Sequence, residues 1–224
     1  VVITGISPNG LGEAMAKAIA SKGPATLVLT ARSIQKAESV AAEITREYPG
    51  ITSVKTLQLD LSSGKAVRSS AETLGKMVDG IDVLINNAGV MALPERTLSE
   101  DGHEMHFATN FLGHFLFTNL VATKLAAAQH GARVVNVISG GYMLCPIRFQ
   151  DLKWEGKPLP PDEEPNKALA EQMGLGHFGP LENYNPMLAY IHSSTALMLF
   201  SLALSERLGK DGVVAITAAP GGKL

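Results

Sequence analysis

A glycine-rich turn near the start of the chain is the first place where residue type and spacing suggest chemistry. In Val1-Val2-Ile3-Thr4-Gly5-Ile6-Ser7-Pro8-Asn9-Gly10-Leu11-Gly12, three β-leaning apolar residues run into the turn, and the alanine-rich stretch from Glu13 to Ala20 leaves it. Such a unit presents backbone N–H groups at a helix N-terminus, where the helix dipole favours a phosphate. Gly5 permits the tight turn, Gly10 lets the backbone approach a pyrophosphate, and Gly12 lets the helix pack close to the strand. Dinucleotide binding is the chemistry expected. The choice of cofactor follows from charge. A fold that takes NAD places a carboxylate about twenty residues past the glycines, whereas one that takes NADP carries an arginine there. Here the second apolar run ends Thr30-Ala31-Arg32-Ser33, with no acid in that slot. Arg32 would grip a 2′-phosphate through its planar fork and Ser33 would add a hydrogen bond, so NADP(H) is expected.

Other reactive side chains read more plainly. His103 and His106 stand three apart with no third metal ligand beside them, and are expected at the surface or as caps, with no metal bound. His114 lies among aromatic residues and reads as packed, and Met143, Met187 and Met198 also read as packing, with Met187 a candidate pocket wall. Cys145 has no basic neighbour to lower its pKa. His177, in Gly174-Leu175-Gly176-His177-Phe178-Gly179, lies in a glycine-rich, aromatic sequence that is a candidate for a mobile substrate contact.

The elements that must position these groups alternate. Apolar runs at 1–3, 25–30, 53–60, 81–85, 133–138 and 213–217 read as strands, and helical patterns cover 34–48, 61–78, 98–129 and 187–208, the third broken near Asn110-Phe111-Leu112-Gly113. Near-continuous apolar strands separated by helices imply a parallel sheet covered on both faces. The 224 residues, 46% apolar and 18% charged, suffice for one well-buried domain spanning 1–224. A net charge of −2 selects neither nucleic acid nor an anionic membrane surface. The longest apolar run, 196–204, is too short to span a bilayer, so no membrane segment is expected. One cysteine leaves no internal disulfide, which suits a reducing compartment, and a cytoplasmic location is expected. The chain opens inside a strand without Met, so it is expected to be trimmed. One segment breaks the alternation. Residues 141–186 hold seven prolines, the single tryptophan and the acidic Asp162-Glu163-Glu164, with a short helix expected near 167–173. An irregular insertion this long, leaving the fifth strand where doubly wound sheets bind ligands, reads as a cover for the substrate.

Taken together, these residues resemble the short-chain dehydrogenase/reductase family over essentially the whole chain, and most strongly its retinol-dehydrogenase-like and fungal branch. Thr4-Gly5…Gly10-Leu11-Gly12 is similar to the family's cofactor turn, although four residues, rather than three, separate the first two glycines. Asn86-Asn87-Ala88-Gly89 is the most specific match, to the signature at the end of strand four. The resemblance implies a Rossmann-type sheet of order 3-2-1-4-5-6, with a further C-terminal strand beyond this chain. It implies cofactor contacts at Gly5, Ser7, Asn9, Gly10, Leu11 and Gly12, at Arg32, Ser33, Asp60 and Leu61, at Asn87, Ala88 and Gly89, and at Tyr190, Pro220 and Gly221. From the residues alone, Asp60 reads instead as the N-cap of the next helix. Ser139, Tyr190 and Asn110 fall at the family's catalytic positions, Asn110 being the residue that orders a relay water.

Besides the longer glycine turn, the sequence departs from the family at a catalytic position. The catalytic lysine belongs four residues after the tyrosine, on the same helix face. In Tyr190-Ile191-His192-Ser193-Ser194, that place holds Ser194. His192 points off the tyrosine's face, and Lys223 is the more plausible substitute. A hydroxyl cannot depress a phenol by charge, so Tyr190 should stay protonated near neutral pH. A protonated phenol serves carbonyl reduction, whereas alcohol oxidation needs the scarce phenolate. The expected function is therefore NADP(H)-dependent reduction of a ketone or aldehyde on a bulky, apolar small molecule, of a kind that secondary metabolism would use. The alternative is a redox-silent member of the family: a cyclase, an isomerase or a non-catalytic partner. The resemblance also implies a homodimer or homotetramer, built on the two long helices.

Overall fold

Strands that are apolar on both sides need cover on both sides, and six of them here share one sheet. The computed structural model describes residues 1–50, 53–172, 174 and 179–221. The strands are β1 (Val2–Ile3), β2 (Thr26–Ala31), β3 (Ser53–Gln58), β4 (Val83–Asn86), β5 (Ala132–Val137) and β6 (Val213–Ala218). All pair in parallel in the order β3-β2-β1-β4-β5-β6, with Val2 opposite both Val28 and Leu84. This is the Rossmann-type order expected. Helices α1 (Leu11–Ala20), α2 (Ile34–Glu47), α3 (Gly64–Met77), α4 (Gly113–Leu120), α5 (Ala122–Ala126), α6 (Lys167–Gln172) and α7 (Pro186–Leu208) make up the layers and the insertion.

The two-residue period of a strand divides the core. Ile3, Leu27 and Leu29 face one side and meet Ala16, Ala20, Ala37, Val40 and Ile44 of α1 and α2. Val2, Val28, Leu84 and Val134 face the other and meet Val67 and Leu74 of α3, Phe117 of α4, and Leu197, Phe200 and Leu204 of α7. A third cluster lies under the proline-rich insertion, where Leu144, Cys145, Trp154 and Ala170 close on Leu188, Ala189 and Ile191 of α7. The insertion is therefore docked on the first turns of the helix that carries Tyr190.

Several boundaries differ from expectation, for local reasons. The helix expected over 98–129 starts later, because Leu98 forms an antiparallel bridge with Glu104. It then runs as a π-helical turn, Phe107–Leu112, followed by α4 and α5, which part at Val121 with φ −99° and ψ 10°. Ser63, not Asp60, caps α3, its Oγ accepting the Ala66 N–H at 3.2 Å. Asn185 caps α7 by accepting the N–H groups of Met187 and Leu188, with Pro186 in the first turn. Residues 186–211 are long and apolar enough to cross a membrane by length and composition, more than the apolar run alone suggested, yet 67% of the most apolar window is packed inside the protein. Met143 and Met187 stand 53% and 44% exposed instead of packing, whereas Met198 packs against the core.

Candidate active site

A cleft of about 1010 Å³ opens at the C-terminal ends of the central strands. Its floor is the glycine turn. Gly5 has φ +76°, a left-handed backbone that glycine adopts freely, and a Cβ there would stand 2.5 Å from the Ala88 Cα. A Cβ on Gly12 would stand 2.5 Å from the Gly5 carbonyl oxygen. The turn is thus pressed onto the end of β4, and Asn87 Nδ2 ties it there by donating to the Thr4 and Gly5 carbonyls at 2.8 and 3.2 Å. The extra residue is absorbed in a β-turn. Gly10 N–H donates to the Ser7 carbonyl at 3.1 Å, with Pro8 second and Asn9 third at φ +60°, as a type II turn requires.

That turn corrects two expectations. Gly5, Ser7, Leu11 and Gly12 line the cleft, but Asn9 and Gly10 do not. Asn9 is exposed and its N–H is spent on Glu13 Oε2 at 2.7 Å, while a Cβ on Gly10 would strike Ser7 Oγ at 2.6 Å. The smallness of Gly10 therefore serves the turn itself. At the other end Pro220 lines the cleft, but Gly221 is exposed and does not.

Arg32, Ser33 and Lys36 line the end farthest along β2, with Asp60 and Leu61 across from them. Among the described residues neither cation has an ion-pair partner. Gln58 Nε2 donates to the Arg32 carbonyl at 3.1 Å, which fixes its backbone. Asp60 Oδ1 accepts both the N–H and the Oγ–H of Ser62, at 3.0 and 2.7 Å. The sequence reading missed Lys36, although its place four residues after Arg32 on a helix start was the available signal. A turn whose glycines at 5 and 12 leave no room for a Cβ, with two unpaired cations beyond it, fits a dinucleotide.

The opposite end gathers hydroxyls and amides. Asn87, Ala88 and Gly89 lead to Asn110, Tyr190 and Ser194, all on the cleft wall. Asn110 sits in the π-helical turn, where Gly113 N–H reaches back five residues to the Ala108 carbonyl. Its side chain is fully engaged. Oδ1 accepts Val90 N–H at 2.8 Å, and Nδ2 donates to the Val90 carbonyl and to Ser193 Oγ, each at 3.0 Å. Ser193 Oγ in turn donates to the Tyr190 carbonyl at 2.6 Å. The Asn110 carbonyl accepts from His114 Nδ1 at 2.8 Å, so any relay water would have to share that oxygen.

His114 joins the two ends. Thr4 Oγ1 accepts the N–H groups of Asn87 and Ala88 at 2.9 and 3.0 Å, so its proton must go to His114 Nε2, 2.9 Å away. That assignment leaves Nδ1 carrying the proton given to Asn110. Burial pushes the imidazole down to about 4, so it stays neutral in this chain of bonds. His114 is packed, as the sequence suggested, but its bridging part could not be read from sequence spacing.

Tyr190 is half-buried, and burial raises its phenol above the usual value against the opposing pull of a hydrogen bond from the Ser139 side chain. Ser139 follows β5 outside the cleft lining, so it meets the cleft through Tyr190. Its own Oγ accepts Gly141 N–H at 3.1 Å. Ser194 Oγ accepts Ser139 N–H at 3.3 Å. His192 is fully buried, 4.9 Å from Phe107 between ring centres, and burial pushes it down to about 4, which removes it as a cationic stand-in. Cys145 is equally inert, its thiol pushed up to about 12 by burial. Lys223 and His177 lie outside the described residues.

Two buried knots fasten the surrounding loops. Arg148, 1% exposed, pairs with Asp151 at 2.9 Å and stacks its guanidinium 3.7 Å over the Trp154 ring. His106 is fully buried rather than at the surface, and although it stands at the N-cap of the π-helical turn its side chain makes no cap bond there. Its Nδ1 donates to Glu104 Oε1 at 2.7 Å and its Nε2 accepts Leu93 N–H at 3.2 Å. Burial alone would raise the Glu104 carboxyl, but the bonds from His106 and Phe107 N–H hold it below the usual range. Tyr184, from the insertion, closes this knot through a hydroxyl 3.3 Å from Glu104.

The chain is similar to known proteins in the same terms. A family profile described as short chain dehydrogenase matches residues 1–144. Oxidoreductase fscI of Fusarium equiseti is 40% identical over 227 residues, covering 99% of this chain and 86% of that protein. Human retinol dehydrogenases 13 and 11 are 34% and 36% identical over 99% of this chain, which spans only 58% and 60% of their lengths. Among solved structures, a metagenomic short-chain oxidoreductase in complex with NADP superposes with a TM-score of 0.69 at 24% identity, covering 99% of this chain and 81% of that one. An alcohol dehydrogenase from Thermococcus sibiricus complexed with 5-hydroxy-NADP gives 0.65 at 21% identity, with coverages of 99% and 76%. At those identities the structures support the fold. These matches bear out the resemblance drawn from the motifs.

Proposed function

Since the chain belongs to the short-chain dehydrogenase family, in its retinol-dehydrogenase-like branch, and is an oxidoreductase that works with a nicotinamide cofactor, we propose that it reduces the carbonyl of a bulky, apolar ketone or aldehyde at the expense of NADPH. The observation that carries this reading is the environment of Tyr190. Its phenol is raised by burial, and no cation among the described residues lines the cleft beside it. A group in that state holds its proton at neutral pH and can donate it, whereas it forms little of the base that alcohol oxidation needs.

When bound, a reduced nicotinamide supplies the hydride to the carbonyl carbon. Tyr190, held by the hydroxyl of Ser139, orients the carbonyl oxygen and gives it a proton. Asn110 holds the loop at Val90 and, through Ser193, the backbone of Tyr190, and so sets the distance between the cofactor floor and the phenol. Arg32 and Lys36 support NADPH over NADH, since a 2′-phosphate would meet both. An apolar substrate is supported by Val90, Met91, Leu93, Leu98, Met105 and Leu197 on the cleft wall, and by relatives named for retinol.

The experiment is a panel of aldehydes and ketones offered with NADPH or NADH, followed at 340 nm across pH 6 to 10. Consumption of NADPH in preference to NADH is expected, with a rate that does not fall through the alkaline range because Tyr190 keeps its proton beyond its ordinary value. Faster alcohol oxidation than carbonyl reduction at pH 7, or a preference for NADH, would overturn the reading.

A further inference from the structure

We infer that Ser194 is a positioning residue, which holds Ser139 in register with Tyr190 by accepting its backbone N–H. The inference rests on the reading of Tyr190 as the proton donor and Ser139 as the hydroxyl that holds it, and it gives a task to a position where the family resemblance leads one to expect a lysine.

The need for an acceptor arises where β5 leaves the sheet. Ile138 N–H donates to the Ala218 carbonyl at 2.9 Å, the last bond between β5 and the strand beside it. The next amide, Ser139, has no strand opposite it, and the residue is only partly exposed. An amide so placed must find another partner or lose the hydrogen bond it had in water. Ser194 Oγ fills that place at 3.3 Å, from a side chain on a residue only 3% exposed.

The remaining valences of Ser139 are fixed in the same way. Its Oγ accepts Gly141 N–H at 3.1 Å, which leaves the hydroxyl proton to be given to Tyr190. The turn also packs close to α7, since a Cβ added at Gly141 would stand 3.0 Å from Ile191 Cγ1. Ser139 is therefore held at its N–H by α7 and at its Oγ by the short turn that follows it. Tyr190 and Ser194, one turn apart on α7, grip the same serine at its hydroxyl and at its backbone. A lysine at 194 has no acceptor atom and could not make this bond.

The test compares Ser194→Ala and Ser194→Thr with the unmodified full chain. In Ser194→Ala the Ser139 amide should exchange its hydrogen about tenfold faster while that of Ile138 is unchanged, as loss of one hydrogen bond implies. The turnover number for carbonyl reduction should fall about tenfold, with the NADPH dissociation constant moved less than twofold, since a misplaced hydroxyl costs rate more than cofactor affinity. Ser194→Thr keeps the oxygen and should restore both the protection and the rate. Unchanged exchange at Ser139 in Ser194→Ala overturns the inference, as does faster exchange with an unchanged turnover number. Should the unmodified protein reduce no carbonyl, the proposed function fails by itself, and the exchange rate at Ser139 still decides whether Ser194 holds that amide.

Discussion

The two ends of the cleft are built on opposite principles. The end that would hold the adenosine is made of backbone and charge: a turn whose glycines leave no room for a Cβ, then Arg32 and Lys36 without ion-pair partners among the described residues. The end that holds Tyr190 is made of neutral groups, in which each hydroxyl or amide is held by another. Ser139, Ser193, Asn110, Thr4 and neutral His114 form that array. Charge acts at a distance and tolerates loose geometry, whereas a neutral hydrogen bond is lost within a fraction of an ångström. The difference suggests that affinity is set at the first end and rate at the second, with Thr4 and His114 between them.

Substitutions can break that division. The largest effect is expected from Tyr190→Phe, which should lower carbonyl reduction on the order of a thousandfold and move NADPH affinity less than twofold by fluorescence titration. An affinity loss as large as the rate loss would deny the separation. Acid should act on the neutral end next. His114 and His192 sit at about 4 in the folded chain against an ordinary value of 6.5. The unfolded chain thus binds more protons below pH 6.5, and stability is lost as pH falls from about 6.5 toward 4. Each histidine should cost about 2 kcal/mol at pH 5 relative to pH 8, readable as a lower urea midpoint. The paired change Arg32→Ala with Lys36→Ala should weaken NADPH on the order of a hundredfold and leave NADH within twofold, with the difference shrinking in high salt. The smallest shift is expected from Ser194→Lys. A cation one turn from Tyr190 favours the phenolate, so the ratio of alcohol oxidation to carbonyl reduction at pH 7 should rise about tenfold. An unchanged ratio would mean that charge does not reach the phenol from that position.

The same contrast explains what the sequence disclosed. Backbone devices leave local marks. The glycine turn, the alternation of strands with helices and Arg32 all follow from short runs of residues, and the structure has them where the spacing puts them, whereas the strand order was implied by the family resemblance. The break near Asn110 was visible too, because Gly113 and the aromatic residues around it disturb the helical period. Networks between distant residues leave no such mark. Nothing near His114 announces Thr4, 110 positions away, and nothing near Ser194 announces Ser139, 55 away. His106 read as a surface or capping residue, whereas Glu104, two residues off, shares its burial. The insertion read as irregular because its order comes from a buried Arg148–Asp151 pair and a tryptophan, not from periodicity.

The position of β1 has a bearing on how the molecule is made. The strand at the middle of the sheet is contributed by Val2 and Ile3, and its second neighbour is β4, with Val2 set against Leu84. About 80 residues must therefore be in hand before the middle of the sheet can close, a separation that slows folding through the entropy of bringing distant segments together. Until then one backbone edge of β1 is unpaired, and a nascent chain held at this stage would be the form most exposed to chaperones and to aggregation.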